Sequence, residues 1–372
     1  MEVETKDRPQ NVWQWIATTL GRILVALVIP AVTFVVLWRV FIFLRDSQAP
    51  SWVIAIVAIF WGVGGVAALF IVANLALEQL PAVWRRRLVP FVFVGPGIAV
   101  LGWYLFVPTL RTFYLSLRGS SSQEFVGLKN YIYAFTSSAM KESFLNNLLW
   151  LVLGTGLCVV LGLIIAVLAD RTPAWFETLI KGLIFMPMAI SLVGAGVIWK
   201  FVYNFRPAGK DQIGLMNALV TAMGGEPFAW LFKPPLNTIF LILILVWMQT
   251  GFAMVILSAA LKGVPKELLE AGRIDGANEF QIFFRIVIPY IQGSIVTVAT
   301  TIALVTLKVF DIVITMTGGS GGTEVIANQQ YRMFSLPDYG KSSAIAMVLL
   351  LAVIPIIYYN LRQFSSRTEV FR

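Results

Sequence analysis

Three groups of polar residues stand out in a chain that is otherwise apolar. Glu270, Arg273 and Asp275 lie in the stretch 262–289, interleaved with the small residues Ala271, Gly272, Gly276 and Ala277. Small side chains let another surface approach the backbone, so this pattern suits docking by charge and close contact rather than catalysis. Gly276 also marks a place where a helix can end or bend. Lys308 and Asp311 stand three apart in an apolar run; on one helix they would share a face and could pair. Gln249 and Thr250 are the other polar groups at depth. With Trp247 and Phe252 they offer aromatic faces beside hydrogen-bonding groups, the mixture that binds a sugar ring. For each group the plainer reading is structural: a solvated amphipathic loop, an edge pair and helix packing.

The residue inventory excludes most catalysis. There is no histidine, which removes His-based metal sites and Ser-His-Asp triads. The single cysteine, Cys158, can form neither an intrachain disulfide nor a cysteine-cluster metal site, and its apolar surroundings suit packing. No Gly-x-x-x-x-Gly-Lys-Ser/Thr occurs, and the glycine-rich stretch 318–323 has no lysine, so the chain is not expected to hold nucleotide phosphates. The net charge of +9 does not indicate nucleic acid, because the basic residues are scattered over loops and helix ends.

The elements that must position these residues are membrane spans. Hydrophobic residues make up 58% of the 372 and charged residues 13%, about half the usual share for a soluble domain; the mean hydropathy is +0.82. A bilayer core of about 30 Å needs roughly 20 apolar helical residues. Eight runs qualify, at about 23–44, 52–77, 88–110, 147–168, 179–202, 236–261, 288–316 and 342–361. They do not alternate with period two, so barrel strands are excluded. The polar opening 1–10 and the long first run are not expected to form a secretory signal. Arg85, Arg86 and Arg87 fall in the link between the second and third runs and predict that this link is cytoplasmic. An even number of spans then places both termini, and the stretch 262–289, on that side. The fold class expected is an all-α integral membrane protein of about eight transmembrane helices.

The stretch 262–289 resembles the "EAA" loop of binding-protein-dependent ABC importer permeases. That pattern runs Glu-Ala-Ala, three residues, Gly, nine residues, Ile, one residue, Leu-Pro. It is met at Glu270, Ala271, Gly276, Ile286 and Pro289, with Gly272 for Ala and Ile288 for Leu. The resemblance runs from about residue 88 to 372 and is to the maltose-transporter type, through 228–230, 247–275, 310–319, 338–340 and 342–346. Two extra N-terminal spans are similar to the larger membrane subunit of that transporter, although its large periplasmic insertion is missing. The sequence 318–323, with 308–311 before it and 324–328 after it, looks like permeases for α-glucosides and glucosylglycerol.

The resemblance implies a type I importer permease fold: a tail with two extra helices over 1–87 and a six-helix core over 88–372. It makes 262–289 a coupling loop, with Glu270, Ala271, Gly272, Asp275, Gly276, Ala277 and Pro289 facing a separate ATPase dimer that carries the ATP and Mg. It places a solute pocket at Leu245, Met248, Gln249, Phe252, Ile302, Thr306 and Val309. A second permease, an extracytoplasmic solute-binding protein, a small sugar-like substrate and membrane lipid complete the expected partners, in a bacterial inner membrane. The chain itself would not be catalytic. The rival is an ATP-independent secondary transporter or channel, which would be expected to show internal repeats and mid-membrane carboxylates. No repeat is apparent, and Asp311 is the one candidate carboxylate.

Overall fold

The computed structural model describes residues 21–22 and 24–370; the polar opening 1–10 lies outside them. Among the described residues the chain is helical and forms no strand. Helices are the form that satisfies a lipid-exposed backbone from within one segment. In chain order they are α1 (Ala26–Asp46), α2 (Ser51–Glu78) and α3 (Ala82–Ser116), then α4 (Lys129–Thr136). Next come α5 (Ser138–Asp170) and α6 (Ala174–Ala189), bent against α7 (Leu192–Val202), then α8 (Leu215–Ala222). They are followed by α9 (Leu236–Lys262), α10 (Lys266–Ile274), α11 (Glu279–Leu307), α12 (Asp311–Met316), α13 (Ile326–Ser335) and α14 (Tyr339–Val370). Seven are long and apolar enough to cross a bilayer, and the bent pair makes eight if it is one span.

Two expected runs and one expected link take a different form. The run expected as one span over 179–202 is broken, with a bend of 103° between α6 and α7. Pro187 sits in a tight turn at Met186–Ala189, Ile190 is extended, and Ser191 restarts the helix by accepting the Gly194 N–H at 3.0 Å. The run expected over 288–316 stops at Leu307 and resumes at Asp311. The arginine triplet is not in a loop: α3 begins at Ala82, so Arg85, Arg86 and Arg87 lie in its first two turns.

Two compact units result, residues 1–109 and 110–372. In the first, Trp61 Nε1 on α2 donates to the Leu37 carbonyl on α1 at 2.9 Å, and Phe70 of α2 stacks on Phe93 of α3 at 5.7 Å. The second is organised around α9. Fifty-six per cent of its apolar window is buried, against 6% or less for α1 to α3, which identifies α9 as the core helix. Helix α5 crosses α9 where Gly162 meets Ala253; a methyl group at Gly162 would stand 2.5 Å from the Ala253 Cβ and 2.9 Å from the Met254 nitrogen. Cys158, one turn away, is fully buried in the same core.

The contact at Gly162 is backbone against backbone, with no flexible side chain able to yield. Gly162→Leu is expected to cost about 3 kcal/mol by overpacking and to lower the melting temperature of the purified protein. Gly156→Leu, whose added carbon would meet nothing within 4 Å, is expected to leave it unchanged.

Candidate functional site

The stretch 262–289 folds as one short exposed helix joined to the start of a long one. Helix α10 follows Pro265 and carries Glu267 in its first turn and Arg273 in its last, the charge order that complements the helix dipole. It ends in a Schellman turn: Ala277 N–H donates to the Gly272 carbonyl at 3.0 Å and Gly276 N–H to the Arg273 carbonyl at 3.1 Å. Gly276 has φ +81°, a conformation glycine adopts without cost. A capping box restarts the chain, with Asn278 Oδ1 accepting from Gln281 N and Gln281 Oε1 from Asn278 N. Helix α11 then opens into a π turn at Phe283–Val287 just before Pro289. Proline lacks an N–H, and a wider turn beside it accommodates the missing bond.

The small residues serve the chain's own packing more than the sequence reading allows. Gly272 is buried, and a methyl group there would lie 2.7 Å from Ile286 Cδ1 and 3.4 Å from Ile282 Cγ1. The expected close approach at Gly272 is therefore made by α11, not by another protein. Ala277 is half-buried against the same cluster, while Glu270, Ala271, Asp275 and Gly276 are exposed. Arg273, read as pointing to a partner, instead pairs with Glu279 at 2.9 Å, and that carboxylate raises its pKa. Phe280, Phe283 and Phe284 belong to the start of α11.

Two features here were not foreseen. Ile274 is 85% exposed and Phe280 72% exposed, an apolar pair flanking the Schellman turn. Beside them lies a groove of about 580 Å³ lined by Asp170, Arg171, Leu269, Arg273, Phe280 and Phe283. The base of α10 is tied down by charge: Lys262 Nζ reaches Glu177 at 2.6 Å and Asp170 at 3.6 Å. Lys181 pairs with Glu177 and donates to Ser258 Oγ at 2.6 Å. In the sequence, 170–177 is the short polar link between the apolar runs 147–168 and 179–202, and nothing local shows that it meets Lys262.

The residues expected to line a solute pocket come together, but as core. Leu245, Met248, Ile302, Thr306 and Val309 are buried, and the Thr306 hydroxyl donates to the Ile302 carbonyl at 2.8 Å. Gln249 and Phe252 are half-buried. Trp247 packs edge-on against Trp199 at 5.7 Å rather than standing open. Lys308 and Asp311 do not share a helix face, because the helix ends between them, and no ion pair joins them among the described residues.

The glycine-rich stretch and the 324–328 segment form one polar knot. Thr317 and Thr323 share a hydroxyl hydrogen bond at 2.6 Å. Asn328 Nδ2 donates to Glu324 Oε1 at 2.6 Å and to the Gly318 carbonyl at 3.3 Å. Asparagines on other helices bind the loop backbone: Asn146 donates to the Gly322 and Glu324 carbonyls at 2.8 Å each, and Asn237 to the Gly321 carbonyl at 2.6 Å. Asn147 Oδ1 accepts from Ile326 N at 2.8 Å. Burial raises the Glu324 pKa, opposed by the Asn328 and Val325 hydrogen bonds and by Arg332 4.0 Å away.

This arrangement of spans around a buried α9, with an exposed helix between two of them, is the fold of an importer's membrane subunit. A bacterial ABC transporter involved in import of the acidic polysaccharide alginate contains a chain with the same fold, at TM-score 0.65 and 19% identity over 76% of this chain and 99% of that one. The chain belongs to the family of binding-protein-dependent transport system inner membrane components, whose model matches residues 158–368. Relatives are alike well beyond the fold. The osmoprotective compounds uptake permease protein of Synechocystis sp. is 52% identical over 280 residues, 75% of this chain and all of that protein. The alpha-glucoside transport system permease protein of Rhizobium meliloti is 50% identical over 281 residues, 75% of this chain and 83% of that one. The family match does not favour an ATP-independent transporter or channel.

Because Glu324 is held above its ordinary pKa, the folded state binds its proton more tightly than the unfolded state does. Its contribution to stability is whole below the unfolded carboxylate pKa and is lost as pH rises through the raised folded value. Glu324→Gln keeps the acceptor for Asn328 and removes the charge. Its melting temperature is expected to exceed wild type at about pH 8 and to match it at about pH 4, below the ordinary glutamate value.

Proposed function

We propose that this chain is one of two permeases in a carbohydrate importer of the α-glucoside or osmoprotectant class, driven by a separate ATPase dimer. The observation that carries the reading is the exposed α10, which ends at Gly276 and stands on the α5–α6–α9 charge network. Its free surface offers Glu270, Ala271, Asp275 and the apolar side chain of Ile274 to a partner. Two relatives at half identity have names that specify osmoprotective compounds and alpha-glucosides, which supports the solute class.

In this mechanism ATP binding closes the ATPase dimer and draws the α10 helices of both permeases together. The stroke passes through the Gly272–Ile286 contact into α11 and shifts the bundle from inward-open to outward-open. Solute is then accepted from a solute-binding protein seated on the outer loops, where the knot around Glu324 would lie. Nucleotide and solute favour different states of one bistable bundle, and that difference is the coupling. ATP and Mg belong to the partner ATPase, and both termini lie in the cytoplasm.

Solute passes on the half-buried face of α9 that carries Gln249 and Phe252. Leu245, Met248, Ile302, Thr306 and Val309 line the path only when the core opens.

Co-expression with the cognate subunits tests the assembly. Affinity-tagged chain is expected to bring down an ATPase and a second permease, and α-glucosides or glucosylglycerol to stimulate ATP hydrolysis. Glu270→Ala and Gly276→Leu should insert normally yet lose most of that stimulation; normal pumping by both would rule the coupling role out. Gln249→Ala should raise the solute concentration for half-maximal stimulation about tenfold, the loss of a good hydrogen bond. An unchanged value would remove Gln249 from the path.

A further inference from the structure

We propose that the first unit binds an anionic phospholipid, with the phosphate on Arg85 and Arg87, which lie seven residues before Val92 and four before Phe91 on one face of α3, and an acyl chain in a groove between α2 and α3. The groove has a volume of about 420 Å³. Leu69, Phe70 and Ala73 form its α2 wall, and Phe91, Gly95 and Pro96 its α3 wall. No polar side chain lines it. It lies wholly within two membrane-crossing helices, so the apolar material at hand to fill it is hydrocarbon.

The headgroup argument is charge complementarity. The three arginines are exposed, and no ion pair joins any of them to a carboxylate among the described residues. Glu78, at the end of α2, accepts instead from Asn74 at 2.9 Å. Guanidinium groups bind phosphate oxygens through paired hydrogen bonds. Trp84, 56% exposed beside them, is the amphipathic aromatic that favours the headgroup level. The spacing also suits one lipid. At about 1.5 Å rise per residue, Phe91 lies roughly 6 Å deeper than Arg87, and Pro96 about 15 Å deeper than Arg86. A phosphate at the arginines therefore feeds its chain directly into the groove. A zwitterionic lipid brings the same phosphate but sets a cationic ammonium beside the arginines, so a lipid of net negative charge is the better match.

Native mass spectrometry of the full chain, extracted from vesicles of equal phosphatidylglycerol and phosphatidylcholine, tests this. Wild type is expected to retain phosphatidylglycerol preferentially. Arg85→Gln and Arg87→Gln should each lower the preference about fivefold, Arg86→Gln, on the other face of α3, should lower it less, and the triple change should abolish it. Gly95→Leu has open space for its side chain within the groove and should lose the retained lipid. Gly97→Leu, equally unobstructed but off the groove, should keep it. If a variant fails to insert, the unmodified chain decides: its preference should fall at about 1 M salt, where exposed charges are screened. Equal retention of both lipids, a preference untouched by salt or by the triple change, or full retention by Gly95→Leu would each overturn the proposal. Displacement by inorganic phosphate alone would overturn it too, since the acyl chain would then contribute nothing.

Discussion

The contact of Gly272 with Ile286 sets how the exposed helix behaves. A short helix of nine residues is unstable alone in water. Here α10 is held because its backbone at Gly272 rests on the Ile282 and Ile286 side chains of α11. The Schellman turn and the capping box fix the angle between the two helices, and the Glu177 network fixes the other end. A displacement of α10 therefore cannot be absorbed in a loop. It is passed to the span to which the helix is attached, which is what the proposed coupling requires.

The two interruptions in the spans have a similar logic. Helix α7 and helix α12 both begin after a break, and they pack on one another where Gly196 meets Thr315. Breaks leave backbone groups without helical partners, and such groups are tolerated at membrane depth only where protein or a cavity covers them. Val309 in the second break is buried, whereas Ser191 in the first and Lys308 in the second are exposed on the isolated chain. The polar knot at 317–328 extends the principle, since asparagines on α5 and α9 supply the hydrogen bonds that the glycine-rich backbone lacks.

How much of this could be read from residues alone depends on the distance over which the signal acts. Apolar runs set the spans, because burial in lipid needs length and composition only. The ending of α10 at Gly276 was legible because a left-handed residue is a local demand. Gly272 was read as an outward-facing small residue, because sequence does not show which surface will press on it. Lys308 and Asp311 were placed on one face because their spacing fits a helix. The break between them is set by tertiary packing around α12, which no local pattern reveals. Asn146, Asn237 and Glu324 look like ordinary polar residues at span ends until the loop folds onto them. The buried character of Leu245, Met248 and Ile302 is likewise a property of how α9 is surrounded.

The lone thiol has a practical consequence. Cys158 is sealed between α5 and α9, out of reach of any reagent in solution. A cysteine introduced at Ile274 or Ser320, both exposed, would be the sole accessible thiol in this subunit. Maleimide labels, spin probes or bifunctional cross-linkers can thus be attached to the native scaffold without first removing a background site. The chain comes ready for charting distances through a working cycle.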